Sequence, residues 1–225
     1  MKYHTVSISK SGHGAIFTNA GDAKAYQKNH PGSAYQVFDR LPAKIPPLGA
    51  AEAQKPTPVK TLGAASSDGI RIYTDGSALN NPGPGGYGVI LMIDGDYNEF
   101  AQGYRHTTNN RMEMMAVITA LEAIRGDDRK RSIVVHSDSQ YTINGITKGW
   151  ARNWRKKGWK KADGKPALNP DLWKRMLELT EGLPKLTFKW VKGHAGDPLN
   201  ERADELANGA AQGAGDMLED AGYMN

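Results

Sequence analysis

Four acidic residues of this chain stand where acids are unusual. Asp75 closes the run IRIYTDG and is followed by Gly76, and Asp138 sits where SIVVHS gives way to DSQYTINGITKG. Glu113, at about 100° per helical residue, falls on the same side as Val117, Ala120 and Ile124, a face otherwise apolar or small. Asp204 lies in NERADELANG. Burying an unpaired charge is costly, and carboxylates gathered at one place repel one another unless a cation neutralises them. With no cysteine in the chain, a metal is left to oxygen or imidazole ligands. Oxygen donors favour Mg²⁺ or Mn²⁺, and two such ions about 3.5–4 Å apart suit in-line displacement at phosphorus.

Ordinary structural roles fit the same residues, and type and spacing leave both readings open. Asn110-x-x-Glu113 has the form of a capping box. Asp138 could cap the helix that follows it, and Asp75 could be a turn residue. Asp204 reads as an exposed helical acid, and His194, in KGHAGD, is a single loop histidine.

The elements that must position these groups are legible from periodicity. IRIYTDG alternates as a strand that Asp75 ends, NPGPGG makes a turn, and GYGVILMI and NEFAQGY read as two more strands. From Asn109 the period becomes helical through Met114, Val117, Ile118, Leu121 and Ile124, with Gly126 as a stop. SIVVHS is a short strand and DSQYTINGITKG a helix. NPDLWKRMLELTEG is a helix with Asn169 as cap and Pro170 in its first turn. LTFKWVK is a strand, and Asp197 with Pro198 opens the last helix. The order β-β-β-α-β-α-α-β-α implies an α/β fold with a mixed sheet and helices packed on it.

Residues 41–68 hold five prolines and little apolar periodicity, which is linker composition. They separate a small N-terminal unit (1–40) from a larger one (69–212), with 213–225 left as a C-terminal tail. Residues 1–66 carry eight Lys/Arg against three Asp/Glu, a charge of +5, whereas 67–225 carry 21 of each. The neutral part hides a local excess: KGWARNWRKKGWKKADGK (148–165) has eight Lys/Arg, one Asp, and Trp150, Trp154 and Trp159. Interleaved tryptophans suit phosphate neutralisation combined with apolar or stacking contact to a nucleic acid, although some could be core. No stretch approaches the roughly 20 apolar residues of a membrane span, and MKYHTVSISKSGHG lacks the apolar run of a secretory signal. The expectation is a cytoplasmic protein with no membrane partner.

Five segments, YTDGSALNNPGPGGYG, TTNNRMEMMAVITALEA, SDSQYTINGITKGW, NWRKKGWKKADGKP and WVKGHAGDPLNERADELA, occur in this order with compatible gaps. Over about residues 69–212 they resemble bacterial ribonuclease HI, and LEDAGY near the end is similar too. The resemblance implies a ribonuclease H-like five-stranded mixed sheet. It implies a monomeric enzyme that hydrolyses the RNA strand of RNA–DNA hybrids and leaves 5′-phosphate and 3′-hydroxyl ends. It further implies a four-carboxylate site of Asp75, Glu113, Asp138 and Asp204 holding two Mg²⁺, with Mn²⁺ as an alternative. His194 would assist proton transfer or product release.

By the same resemblance Asn81, Asn110 and Gln140 would contact the RNA strand, helped by close backbone approach at Gly76 and within Gly83–Gly86. Trp150, Asn153 and Trp154 would face the DNA strand, with Lys156 and Lys157 in the basic protrusion. Thr108, Asn109 and Arg111 would form a phosphate pocket. The N-terminal KSGHGAIFTNAGDAKAYQKNHPGSAYQVF is similar, more weakly, to the small β-β-α-β hybrid-binding module ahead of many such enzymes. It departs from that pattern in lacking a tryptophan near Asn19–Ala20 and in having Gln36 and Val37 where lysines are usual. Two other functions compete: a nuclease of this fold acting on another duplex, and a non-catalytic hybrid-binding protein. The second would expect one of the four acids to be replaced, and none is.

Overall fold

The computed structural model describes residues 3–7, 14–17, 24, 27–28, 34–38 and 69–223, apart from 95, 194 and 214. The chain divides into two compact units, Met1–Ala64 and Ala65–Asn225. In the first, β1 (Tyr3–Ser7), β2 (Gly14–Phe17) and β3 (Ala34–Phe38) form an antiparallel sheet in the order β2-β1-β3. Lys24, Gln27 and Lys28, between β2 and β3, are helical, so these residues follow a β-β-α-β order. The linker expected over 41–68 lies outside the described residues.

The second unit is built on a long hairpin pair. Strand β4 (Gly69–Ala78) pairs antiparallel with β5 (Gly83–Ile93), and β5 with β6 (Asp96–Thr107). Helix α1 (Asn109–Ala123) then returns the chain, through a 3₁₀ turn at Gly126–Lys130, to β7 (Ser132–Ser137), which pairs parallel with β4. Helices α2 (Gln140–Thr147), α3 (Trp150–Lys156) and α4 (Pro170–Glu181) follow. They lead into β8 (Leu186–Trp190), which is parallel to β7, and α5 (Pro198–Ala211) comes next. A two-residue strand β9 (Met217–Leu218) adds to β6, so the sheet has six strands rather than five, in the order β8-β7-β4-β5-β6-β9. Residues 217–220 are therefore part of the fold and not a tail. A two-residue strand is too short to carry a period.

Alternation decides which face meets which helix. Ile70, Ile72, Val89, Leu91, Ile133 and Val135 are buried in one core with Met114, Val117 and Leu121 of α1 and Trp173, Met176 and Leu177 of α4. Each large aliphatic side chain so buried contributes roughly 1.5–3 kcal/mol. Trp173, fully buried, also anchors α3 through an edge contact with Trp154 at 5.8 Å between ring centroids. Helix α3 was not expected from the sequence; it opens at Gly149, whose φ of +72° suits glycine.

The opposite face takes α5, whose buried residues are mostly alanine: Ala203, Ala207, Ala210 and Ala211. Glycines in the strands allow this close approach. A Cβ at Gly88 would collide with the Ala203 carbonyl, and one at Gly86 with the backbone of Ala211. The glycines of the NPGPGG segment are thus largely consumed by packing. The cap of α5 is as expected, with Asp197 accepting from the N–H groups of Leu199 and Asn200 and Pro198 following. The cap of α4 differs: Asn169 holds the position with φ +56°, but its side chain makes no cap hydrogen bond.

Candidate metal centre

Parallel pairing places the first two acids side by side. Thr74 of β4 lies opposite Ser137 of β7, so the next residues, Asp75 and Asp138, continue as neighbours. β4 runs on to Ala78, so Asp75 lies within the strand, opposite Gly88 of β5, and does not end it. The first turns of α1 sit directly on Gly76, where a Cβ would collide with the Glu113 backbone nitrogen, and this close approach delivers Glu113. Carboxylate oxygens of Asp75, Glu113 and Asp138 all lie within 4.8 Å of one another. Asp204, on α5 beside the Ala203–Gly88 contact, joins the group and adds its charge to that acting on Asp75.

This concentration of charge is costly without a counter-ion. Burial, then the Asp138 charge and that of Asp204, push the Asp75 carboxyl up to about 8, against the hydrogen bond from the Gly76 N–H. Glu113 is held well above the ordinary range, chiefly by burial and then by Asp75 and Asp138. Its Oε1 accepts weakly from Asn109 Nδ2 at 3.5 Å, and its buried Oε2 has no hydrogen-bond partner among the described residues. An oxygen-only donor set, an orphaned carboxylate oxygen and mutual repulsion between acids together fit a divalent cation.

The ordinary structural readings of these acids fall away. Thr108 holds the N-cap of α1, so Asn110 and Glu113 form no capping box. Ser139, not Asp138, caps α2, its Oγ accepting from the Thr142 N–H. Asp204 is half-buried and accepts from Asn208 Nδ2 at 2.7 Å, while Asn208 Oδ1 accepts from Ser77 Oγ at 2.6 Å. Neither Asn208 nor Ser77 stood out in the sequence. Asn208 lies one helical turn after Asp204, which is the signal that could have found it. Gly193 lies against the Asp138 carboxylate, where a Cβ would be crowded by Oδ2. His194 lies outside the described residues.

Around the acids, Asn81, Asn110 and Gln140 are exposed carboxamides. Asn81 Oδ1 accepts from the Asn109 N–H at 3.1 Å and so satisfies one free donor at the start of α1. Gly76 is buried under α1, and a Cβ at Gly83 would collide with the Leu79 carbonyl, so internal packing requires glycine at both positions. Thr108 and Asn109 are half-buried.

Arg111 corrects the expected phosphate pocket. Its side chain is 2% exposed and is held by Asp220 and Asp171, with Nε 2.6 Å from Asp220 Oδ2 and Nη2 2.7 Å from Asp171 Oδ2. The guanidinium is spent on joining α1 to α4 and to the residues after β9, leaving it unavailable to a phosphate. Asn169 Oδ1 faces the same guanidinium, which explains why that residue does not cap α4.

In the basic segment, Lys156, Lys157 and Asn153 are exposed, while Arg155 pairs with Glu181 at 2.7 Å and ties α3 to α4. Trp154 and Trp159 pack against the core, and Trp150 is half-buried beside Trp154. Trp154 is therefore as much an anchor of α3 as a surface for a ligand.

The RNase H family profile matches residues 67–212. Ribonuclease H of Escherichia coli O127:H6 is 53% identical over 155 residues, covering 69% of this chain and 96% of that protein. Ribonuclease H of Desulforamulus reducens is 51% identical over 143 residues, 64% of this chain and 87% of that one. Among solved structures, LC9-RNase H1, described as a type 1 RNase H with the type 2 active-site motif, aligns with a TM-score of 0.57 at 32% identity. That alignment covers 72% of this chain and 82% of that one. LC11-RNase H1 in complex with an RNA/DNA hybrid aligns with a TM-score of 0.50 at 30% identity, over 64% and 98% of the two chains. The fold, the acid cluster and these likenesses agree that the chain belongs to the RNase H family.

Proposed function

We propose that this protein is an endonuclease that hydrolyses the RNA strand of RNA–DNA hybrids, acting as a monomer and leaving 5′-phosphate and 3′-hydroxyl ends. The observation that carries the reading is the cluster of Asp75, Glu113 and Asp138 within 4.8 Å, joined by Asp204. Two divalent cations, Mg²⁺ or alternatively Mn²⁺, would be held by these four residues, acidifying the attacking water and neutralising charge on the leaving 3′ oxygen. The protein's own part is to hold the four carboxylates in place. β4 and β7 fix Asp75 and Asp138, the Gly76 contact fixes Glu113, and Asn208 orients Asp204.

Asn81, Asn110 and Gln140 each offer a donor and an acceptor to a 2′-hydroxyl, the group that separates RNA from DNA. Trp150, Asn153, Lys156 and Lys157 suit the DNA strand, with Thr108 and Asn109 beside a phosphate and Trp154 holding α3 in place. His194, next in sequence to Gly193, is assigned proton transfer or product release. The expected products carry 5′-phosphates that a ligase can join, formed only with a divalent cation present. Fragments ending in 3′-phosphate or a 2′,3′-cyclic phosphate would overturn the reading.

Residues 1–40 are assigned to hybrid binding, with 41–68 as the tether and 69–223 as the catalytic unit. Support comes from the β-β-α-β order and the +5 charge of residues 1–66. Removal of residues 1–60 is expected to raise KM and reduce processivity at moderate salt. Unchanged values of both would remove the N-terminal unit from substrate binding.

A further inference from the structure

Beside the acid cluster runs a shallow groove lined by Gln140, Ile143, Asn144, Lys148 and Trp190. Trp190 ends β8 opposite Ser137 of β7 and remains 48% exposed. Leaving so large an apolar ring in water is unfavourable, yet this one is also tethered. Its Nε1 donates to the Asp138 carbonyl at 3.1 Å, which holds the indole over the start of α2. Ile143, 7% exposed, forms the apolar floor. Gln140, Asn144 and Lys148 recur every four residues and so make one polar stripe along α2 and its cap. Lys148 has no carboxylate partner among the described residues; its ammonium lies 5.8 Å from the Trp150 ring centroid.

An apolar wall facing two carboxamides and an ammonium matches one unit of a sugar–phosphate strand. The ribose C–H face would pack on the indole, its 2′-hydroxyl would meet a carboxamide, and a phosphate would sit at the ammonium. The groove also continues directly from the acids, since Gln140 follows Asp138 by two residues and Trp190 bonds to Asp138 itself. We propose that it is a subsite for one ribose–phosphate unit of the RNA strand next to the cut, with Trp190 as its wall and as a positioning residue for Asp138. This rests on the hybrid-cleaving reading above.

Steady-state cleavage of a long hybrid by the full chain separates the two roles. Trp190→Ala raises KM about tenfold, the scale of a lost stacking surface, and lowers kcat. Trp190→Phe keeps the apolar wall but not the N–H, so KM stays near wild type while kcat falls. Lys148→Ala raises KM and lowers the slope of log KM against log salt by about one. Shortening the RNA strand nucleotide by nucleotide raises the wild-type KM in a step when the subsite empties, and Trp190→Ala shows no such step. A wild-type KM for Trp190→Ala, with that step retained, would overturn the subsite, and an unchanged kcat for Trp190→Phe would overturn the positioning role. Failure of the wild-type protein to cut any hybrid would instead overturn the underlying reading.

Discussion

Asp75→Asn is expected to abolish metal-supported cleavage, by a factor on the order of 10³ or more, while making the metal-free protein more stable. Both effects have one cause. Asp75 is buried against Asp138 and Asp204, and its carboxyl is pushed up to about 8 from an ordinary 3.8. An acid whose folded-state pKa lies above its unfolded value binds protons on folding, so its ionisation opposes the fold. The metal-free wild type should therefore lose stability as pH rises from about 4 to about 8. Asp75→Asn removes this charge, so its melting temperature should exceed that of wild type at pH 8, and the gap should close towards pH 4. For a domain of this size each kcal/mol corresponds to about 2–4 °C. Adding Mg²⁺ should raise the melting temperature of wild type more than that of the variant. A variant less stable than metal-free wild type at pH 8 would show that charge repulsion does not dominate this site.

The second large effect lies far from the acids. Asp220→Ala should cost about 3–5 kcal/mol in urea denaturation, because it strips one partner from a buried guanidinium. Asp220 is 2% exposed, and it accepts from Thr107 Oγ1 at 2.6 Å as well as from Arg111. That loss is a large share of the roughly 5–15 kcal/mol available to a typical fold. The paired change Arg111→Met with Asp220→Leu leaves no buried charge from these two positions, so it should cost less than the two single changes added together. Additive costs would mean that the pair acts as two independent surface charges.

Arg111 also marks the limit of what the sequence carries. Within TTNNRMEMM a phosphate-facing arginine and a buried, ion-paired one read identically, because the partners lie 60 and 109 residues away. Local signals did better. Period 2 and period 3.6 located β4 to β8 and helices α1, α2, α4 and α5, and the Asp197–Pro198 pair marked a cap that the structure retains. NPGPGG read as a turn, but Gly83, Gly85 and Gly86 lie in β5 and only the residues before them turn; Gly86 acts mainly through space, admitting the alanine face of α5. The same holds for Gly88, whose contact with Ala203 brings Asp204 to Asp75. Trp190 carried no local mark of its bond to Asp138, since β8 and β7 meet only through the parallel sheet.

Cleavage of an end-labelled RNA–DNA hybrid with Mg²⁺, beside RNA–RNA and DNA–DNA duplexes of the same sequence, tests the central claim most directly. EDTA and Asp138→Asn are the two controls. Cutting of the hybrid's RNA strand alone, lost in both controls, is the predicted result. Binding without cutting, or equal cutting of another duplex, would contradict it.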